Sequence, residues 1–519
     1  MITPATATRS SNLLYSSSEW SFELVAKAYD AIHKIGVDEM GLDIYPNQIE
    51  LIRAEQMLDA YASIGMPNMY RHWSFGKHFA REEGMYRKGA RALAYELVIN
   101  SNPCINYIME ENTMTMQALV LAHAAIGHNH FFKNNYLFRQ WTDATSILDY
   151  LTFAKEYVAD CEERYGIENV EAVLDSAHAL MNQGISRYPM PRRSVADIKE
   201  KAQLRRAYEE QTYNELWRTV PRSKLAASLH LDKLSAAAAG EAASLDLPQE
   251  NLLYFLEKHS PKLDEWKREL LRIVRMLAQY FYPQRQTKVM NEGCATFVHY
   301  EIMTTLHERG MISDGHMLEF MHSHTSVVFQ PSFDHRGFSG INPYALGFAM
   351  MRDIKRICLT PTAEDRAWFP EFAGNEQPLE TLKDAWANFR DDSFILQFLS
   401  PKLIRDFHLF HIHDDSQSAF VEVKSIHDER GYKNIRRRLS EQYDANVGDP
   451  DIQVVSANLS GDRRLTLHHR CRRGIMLDKE QCDRTLLHVA HLWGYRTKFM
   501  EMDAETGELV REHEALPMP

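Results

Sequence analysis

The chain has 519 residues, with 59 Lys and Arg against 71 Asp and Glu and a net charge of −12. That balance excludes a general electrostatic attraction to nucleic acid or to an anionic membrane. Six scattered cysteines with no Cys-x-x-Cys pair exclude a disulfide framework and a thiolate zinc site, and they fit a reducing compartment.

No run approaches the ~18 apolar residues of a spanning helix. The Ser/Thr-rich first 18 residues carry no apolar signal-peptide core. A cytoplasmic protein without a membrane span is expected.

In chain order, apolar residues at three-to-four spacing predict helices over Trp20–Lys34 and Asn47–Ala62. Tyr95–Asn100 alternates like a strand, Asn100-Ser101-Asn102-Pro103 is a turn, and Cys104–Met109 is a second strand. Thr113 caps a helix that runs to His123, with Gly127 as its end. Residues 195–219 read as a charged helix and the Ala/Ser-rich 223–247 as a flexible connection. Leu263, Trp266, Leu270, Val274, Leu277 and Phe281 form an amphipathic stripe closed by Pro283, and Gln286–Thr305 a further helix. Beyond Asp406, strands and helices interleave: strands at Phe407–Ile412 and Phe420–Ile426, a helix at Tyr432–Tyr443, a hairpin over Ile452–Leu459 and Arg464–His469, a helix at Asp478–Trp493 and a strand at Tyr495–Met502.

The expected fold class is α+β and mainly helical. Residues 1–195 form a helical region with the strand-strand-helix histidine motif, and 196–250 a connection. Residues 251–405 complete the core, and 406–519 form a small ferredoxin-like α+β domain.

The chemistry concentrates on Glu292, in Met290-Asn291-Glu292-Gly293. A carboxylate opening an otherwise apolar helix is costly to bury without a partner. His123-Ala124-Ala125-Ile126-Gly127-His128 offers two imidazoles, and two histidines plus one glutamate make a metal site with an open fourth position. The spacing raises an objection: residues five apart on a regular helix are about 140° apart. They converge only if the helix breaks, and Gly127 tolerates the left-handed backbone that would fold His128 back.

His299 lies two turns beyond Glu292, about 10 Å along the axis, so it supports the site or donates to an oxyanion instead of sharing the ion. Glu110 and Glu111 precede the histidine helix, and Glu111 is taken as the water-activating carboxylate. His322 and His324, on a strand, would face one side and complete or replace the site; His130 is a further candidate. The plainer reading is that His123 and His128 cap a helix end while Glu292 accepts helix N-terminal amides. No P-loop, dinucleotide fingerprint or Gly-x-Ser-x-Gly elbow is present.

Several stretches carry a resemblance: HWSFGK (72–77), YELVINSNPC (95–104), MEENT (109–113), FFKNNY (131–136), MNEGCAT (290–296), VVFQP (327–331) and GINPYALGF (340–348). Over nearly its whole length the chain resembles the stage V sporulation protein R (SpoVR) family, departing at Cys294, where a tryptophan is usual. The resemblance implies a cytoplasmic protein, implicated in spore formers in cortex (peptidoglycan) assembly and present also in bacteria without spores. It implies two partners, a serine protein kinase and a protein with a von Willebrand factor A-like domain.

The order of strand, histidine helix and later Asn-Glu-Gly helix is similar, more weakly, to gluzincin metallopeptidases. That likeness implies a zincin-like core in which His123, His128 and Glu292 bind Zn2+ or another divalent transition metal. Ala124 stands where those enzymes place their catalytic glutamate, so either Glu111 has taken over or the site is not catalytic. Two functions are therefore expected in competition: a metal-dependent hydrolase of an amide or ester bond linked to cell-wall or stress metabolism, and a non-catalytic scaffold for the kinase and its companion.

Overall fold

The computed structural model describes residues 12–187 and 245–517, except 63–65, 67–68, 75–76, 78–79, 81–95, 246, 334, 414–421, 426, 445–447 and 460. The expected helix at 195–219 and most of the connection at 223–247 lie outside the described residues. The chain divides into two compact units, Met1–Arg164 with Gln279–Gly448, and Tyr165–Ala278 with Asp449–Pro519. The expected boundaries at 195, 250 and 405 therefore move. No helix among the described residues is long and apolar enough to cross a membrane.

The first unit is mainly helical around a three-stranded sheet of order β1-β3-β2: β1 (Asn47–Ile52), β2 (Glu96–Ile99) and β3 (Cys104–Met109). The helix expected over Asn47–Ala62 is instead β1 followed by a helix over Ala54–Ala62. The reason is non-local: Asn47–Ile52 pairs in parallel with Cys104–Met109, a partner more than fifty residues away that local periodicity does not see. β2 pairs antiparallel with β3, as the strand-turn-strand pattern predicts. Thr113 caps the next helix, Met114–Val120, by accepting the Met116 N–H at 3.3 Å.

Gly127 does not end that helix. The chain continues as a π-helix over Leu121–His128, whose last turn closes with the Asn129 N–H bonded to the Ala124 carbonyl, and then as an α-helix to Asn134. Gly127 serves close approach: a Cβ there would lie 2.6 Å from Ala295 Cα on the helix Lys288–Glu308. That second helix is pressed equally hard on another side. A Cβ on Gly347, in the helix Pro343–Leu359, would lie 2.8 Å from Gly293 Cα. The glycines of two of the sequence's marked stretches thus meet and let the helices touch.

Around this crossing a single core runs from Ile32 through Val298, Ile302 and Met351 to Trp386 and Phe394. Burying each such side chain contributes roughly 1.5–3 kcal/mol. Tyr432, Ile435 and Leu439, on the helix Glu429–Tyr443, join the same core. This helix and the hairpin β4 (His411–His413) and β5 (Glu422–Ser425) consequently belong to the first unit, and no domain begins at 406.

The second unit carries a four-stranded sheet in the order β6 (Ile452–Ala457), β7 (Leu465–Cys471), β8 (Thr497–Asp503), β9 (Leu509–Ala515). β6 and β7 form the expected hairpin, and the helix Lys479–Trp493 crosses over so that β8 lies parallel to β7. A ferredoxin-like sheet needs a split crossover that leaves room for a strand. Here the crossover joins immediate neighbours, so the α+β expectation stands and the ferredoxin-like one is corrected.

On the inward face of β8, Glu501 accepts the Leu477 N–H at 3.1 Å, Arg511 Nε–H at 2.8 Å and His513 at 3.1 Å. Cys471 and Cys482 lie beside it, and the other nitrogen of His513 meets Asp483.

Candidate metal centre

Four side chains from three elements converge in the first unit. His123 and His128 come from the π-helix, with ring centroids 4.6 Å apart and planes at 89°. The π-helix removes the objection of spacing. Its bonds close at five residues, so side chains at i and i+5 stack on one face. The expected break at Gly127, with a left-handed backbone, is corrected: the convergence comes from a wider helix, not a broken one.

Glu292 approaches from the neighbouring helix, its Oε2 at 3.9 Å from His123 Nε2 and 3.6 Å from His128 Nε2. Glu96, at the start of β2, places Oε1 3.7 Å from His123 Nε2. Glu96, His123 and His128 offer ligand atoms all within 4.8 Å of one another.

Each imidazole is held from behind. His128 Nδ1 lies 2.9 Å from Asn291 Oδ1; an amide oxygen only accepts, so Nδ1 carries the proton and Nε2 presents its lone pair. His123 Nδ1 lies 2.9 Å from His299 Nδ1. Burial, and secondarily the neighbouring imidazoles, hold His123 well below the ordinary histidine range. His299 is lowered in the same way, by burial and by His324 and His128. Burial, and then the charge of Glu292, push the Glu96 carboxyl up to about 8.

The Glu292 carboxylate decides between the readings. Its Oε2 is buried and has no hydrogen-bond partner. The amides at its helix start are already taken: Asp391 accepts the Val289 N–H at 2.8 Å and the Met290 N–H at 2.9 Å. Burial raises Asp391 to about 7 against the pull of those N–H groups. Helix capping therefore explains neither the glutamate nor the histidines, because the histidine helix does not end where they lie. The donor set fits a divalent transition metal. Tetrahedral ligation at ~2.0–2.1 Å separates ligand atoms by about 3.3 Å, and the observed separations of 3.6 to 3.9 Å are close to that.

Other expected residues lie elsewhere. Glu111 is exposed and accepts the Ala54 N–H at 3.2 Å, at the start of a surface helix, so its expected role as water activator is corrected. His299 has both ring nitrogens engaged, by His123 and by His324 at 2.9 Å, and keeps no N–H for an oxyanion. His322 and His324 are on a helix, Asp314–Val327, where residues two apart diverge; His324 is buried and His322 exposed. His130 is bonded to the Asp43 backbone. Cys294, at the family departure, is buried with Sγ 3.9 Å from the Gly127 carbonyl. Glu96 was legible only as a strand residue. The available signal was an acidic side chain sharing a strand face with Val98 in an otherwise apolar run.

A family model described as SpoVR like protein matches residues 19–447, and one described as SpoVR-like C-terminal domain matches 450–504. The seam between them falls at one division of the compact units, Gly448 and Asp449, while the first match also spans Tyr165–Ala278 of the second unit. The chain is 52% identical over 492 residues to the "Uncharacterized protein YcgB" of Escherichia coli (strain K12), covering 95% of this chain and 94% of that protein. No solved structure matches. With both models matched and half of its residues shared with a full-length relative, the chain belongs to the SpoVR family.

Proposed function

We propose that the first unit is a zincin-like metal centre that hydrolyses an amide or ester bond, in the cell-wall or stress setting that the SpoVR resemblance implies. His123, His128 and Glu292 would hold Zn2+ or another divalent transition metal. What carries the reading is the buried, unbonded Oε2 of Glu292 facing two imidazole nitrogens that are fixed from behind. The bound ion would supply Lewis acidity toward a carbonyl and toward water.

Three protein ligands would leave a position open, and Glu96 Oε1 lies 3.7 Å from His123 Nε2 at the same cluster. As a carboxylate it would take a proton from the attacking water at Oε1 and pass it to the leaving group, which is the work that Ala124 has no side chain to do. Six buried, unpaired cysteines support a reducing, cytoplasmic setting.

The test is turnover of chromogenic esters and peptidoglycan fragments by zinc-loaded protein. Glu96→Gln should retain the metal and lose at least about a hundredfold in rate. Equal turnover in wild type and Glu96→Gln contradicts the assignment.

Ala124 and the separately matched stretch 450–504 favour a second reading, a scaffold for a serine protein kinase and a von Willebrand factor A-like partner. In that case residues 449–519 are needed to co-purify a partner, while Glu96→Gln leaves cellular function intact.

A further inference from the structure

The support behind His123 does not stop at His299. His299 Nε2 lies 2.9 Å from His324 Nδ1, so three imidazoles on three helices form one hydrogen-bonded chain, from His123 Nε2 at the cluster to His324. The far ring is clamped edge-on by Phe348 at 4.7 Å, stacked on Phe320 at 5.7 Å, and close to Tyr300 at 5.1 Å. That aromatic cage fixes the ring and leaves its Nδ1 aimed at His299.

A neutral imidazole has one donor and one acceptor nitrogen, so such a chain has two consistent arrangements. In one, every ring donates away from the cluster: His123 Nδ1–H to His299, His299 Nε2–H to His324 Nδ1, and His123 Nε2 is a bare lone pair. In the other, every ring donates toward the cluster and His123 Nε2 carries a proton facing Glu96 and Glu292. Only the first permits ligation. The first requires an acceptor two rings away at His324 Nδ1, which that ring offers with its own proton on Nε2.

We propose that His324 is a positioning residue of the metal centre, acting through His299 to hold ligand His123 in its Nδ1–H tautomer. The inference rests on the metal-centre reading. It makes a demand that packing alone does not: the atom that matters is an acceptor at the Nδ1 position, not an aromatic filler.

The test is zinc affinity by chelator competition, on full-length protein with circular dichroism as a folding control. Asparagine places its oxygen near the position of Nδ1, whereas glutamine places it near Nε2, and leucine offers no acceptor. Outer-shell partners of a ligand histidine are worth about 10–100-fold in metal affinity, so His324→Leu and His324→Gln should weaken zinc binding by about tenfold or more, and His324→Asn should stay within about threefold of wild type. If His324→Leu does not fold, the contrast between Asn and Gln decides, since both are polar. Wild-type affinity in His324→Gln, or equal losses in Asn and Gln, overturns the proposal while leaving the metal centre standing. Wild-type protein that binds no zinc overturns both.

Discussion

The two units each hold a buried cluster of metal-ligating side chains, and the clusters differ in what is left over. In the second unit, Glu501 is saturated by Arg511, His513 and the Leu477 amide, with Cys482 nearby. In the first, Glu292 has a buried oxygen that nothing bonds, opposite two imidazoles whose outward nitrogens are already tied. Ligand-type residues alone do not make a site, because buried charge must be compensated in every fold. A guanidinium seated on the carboxylate closes the first possibility and leaves a structural knot; an orphaned acceptor facing lone pairs leaves room for a cation.

The contrast breaks most visibly in metal binding. His128→Ala should weaken zinc affinity by at least about a hundredfold, whereas Cys482→Ser should leave it unchanged. A comparable loss from Cys482→Ser in chelator competition would erase the distinction.

Stability should show the opposite ranking. Glu501→Gln removes the buried charge that Arg511 and His513 share and should cost about 1.5–3 kcal/mol in denaturant unfolding. Glu96→Gln in metal-free protein, relieving the burial of a carboxyl and its repulsion with Glu292, should cost nothing.

Gly127→Ala probes the packing that brings the two helices together. A methyl group 2.6 Å from Ala295 Cα should cost about 1–3 kcal/mol and lower zinc affinity along with it.

The smallest effect is on pH dependence. Glu96 is held above its ordinary value of 4.5, at about 8, so the folded state keeps its proton longer than the unfolded chain. Its contribution is present below the ordinary value, and stability falls as pH rises toward 8. For Glu501, burial pushes up, but Arg511, His513 and the Leu477 amide outweigh it and the carboxyl is held below 4.5. Its contribution is present above the ordinary value and is lost as pH falls through the lowered one. Thermal melts of metal-free wild type and Glu96→Gln should therefore converge in acid and separate toward pH 8 in favour of the variant. Parallel curves would count against the burial that, with the charge of Glu292, raises Glu96.

What the sequence made legible was local. The Thr113 cap, the strand-turn-strand before it, and the β6–β7 hairpin all rest on signals within a few residues. The candidate ligands His123, His128 and Glu292 are visible because unusual residue types sit in apolar helices. Their convergence is not, because the stretch folds as a π-helix, outside the 3.6-residue period of a regular helix. Glu96 and Asp391 were missed for another reason: each acts on a partner far along the chain, Asp391 on an amide 101 residues away. Neither has a spacing that a single sequence can reveal. The same holds for β1, whose parallel partner is recruited from beyond the next helix.

Metal analysis of the purified full-length chain, beside Glu292→Ala, tests the central claim most directly. The account predicts about one divalent transition-metal ion per wild-type chain and its loss in the variant, with the fold retained. Wild-type protein without stoichiometric metal, or Glu292→Ala with the same content, would contradict it.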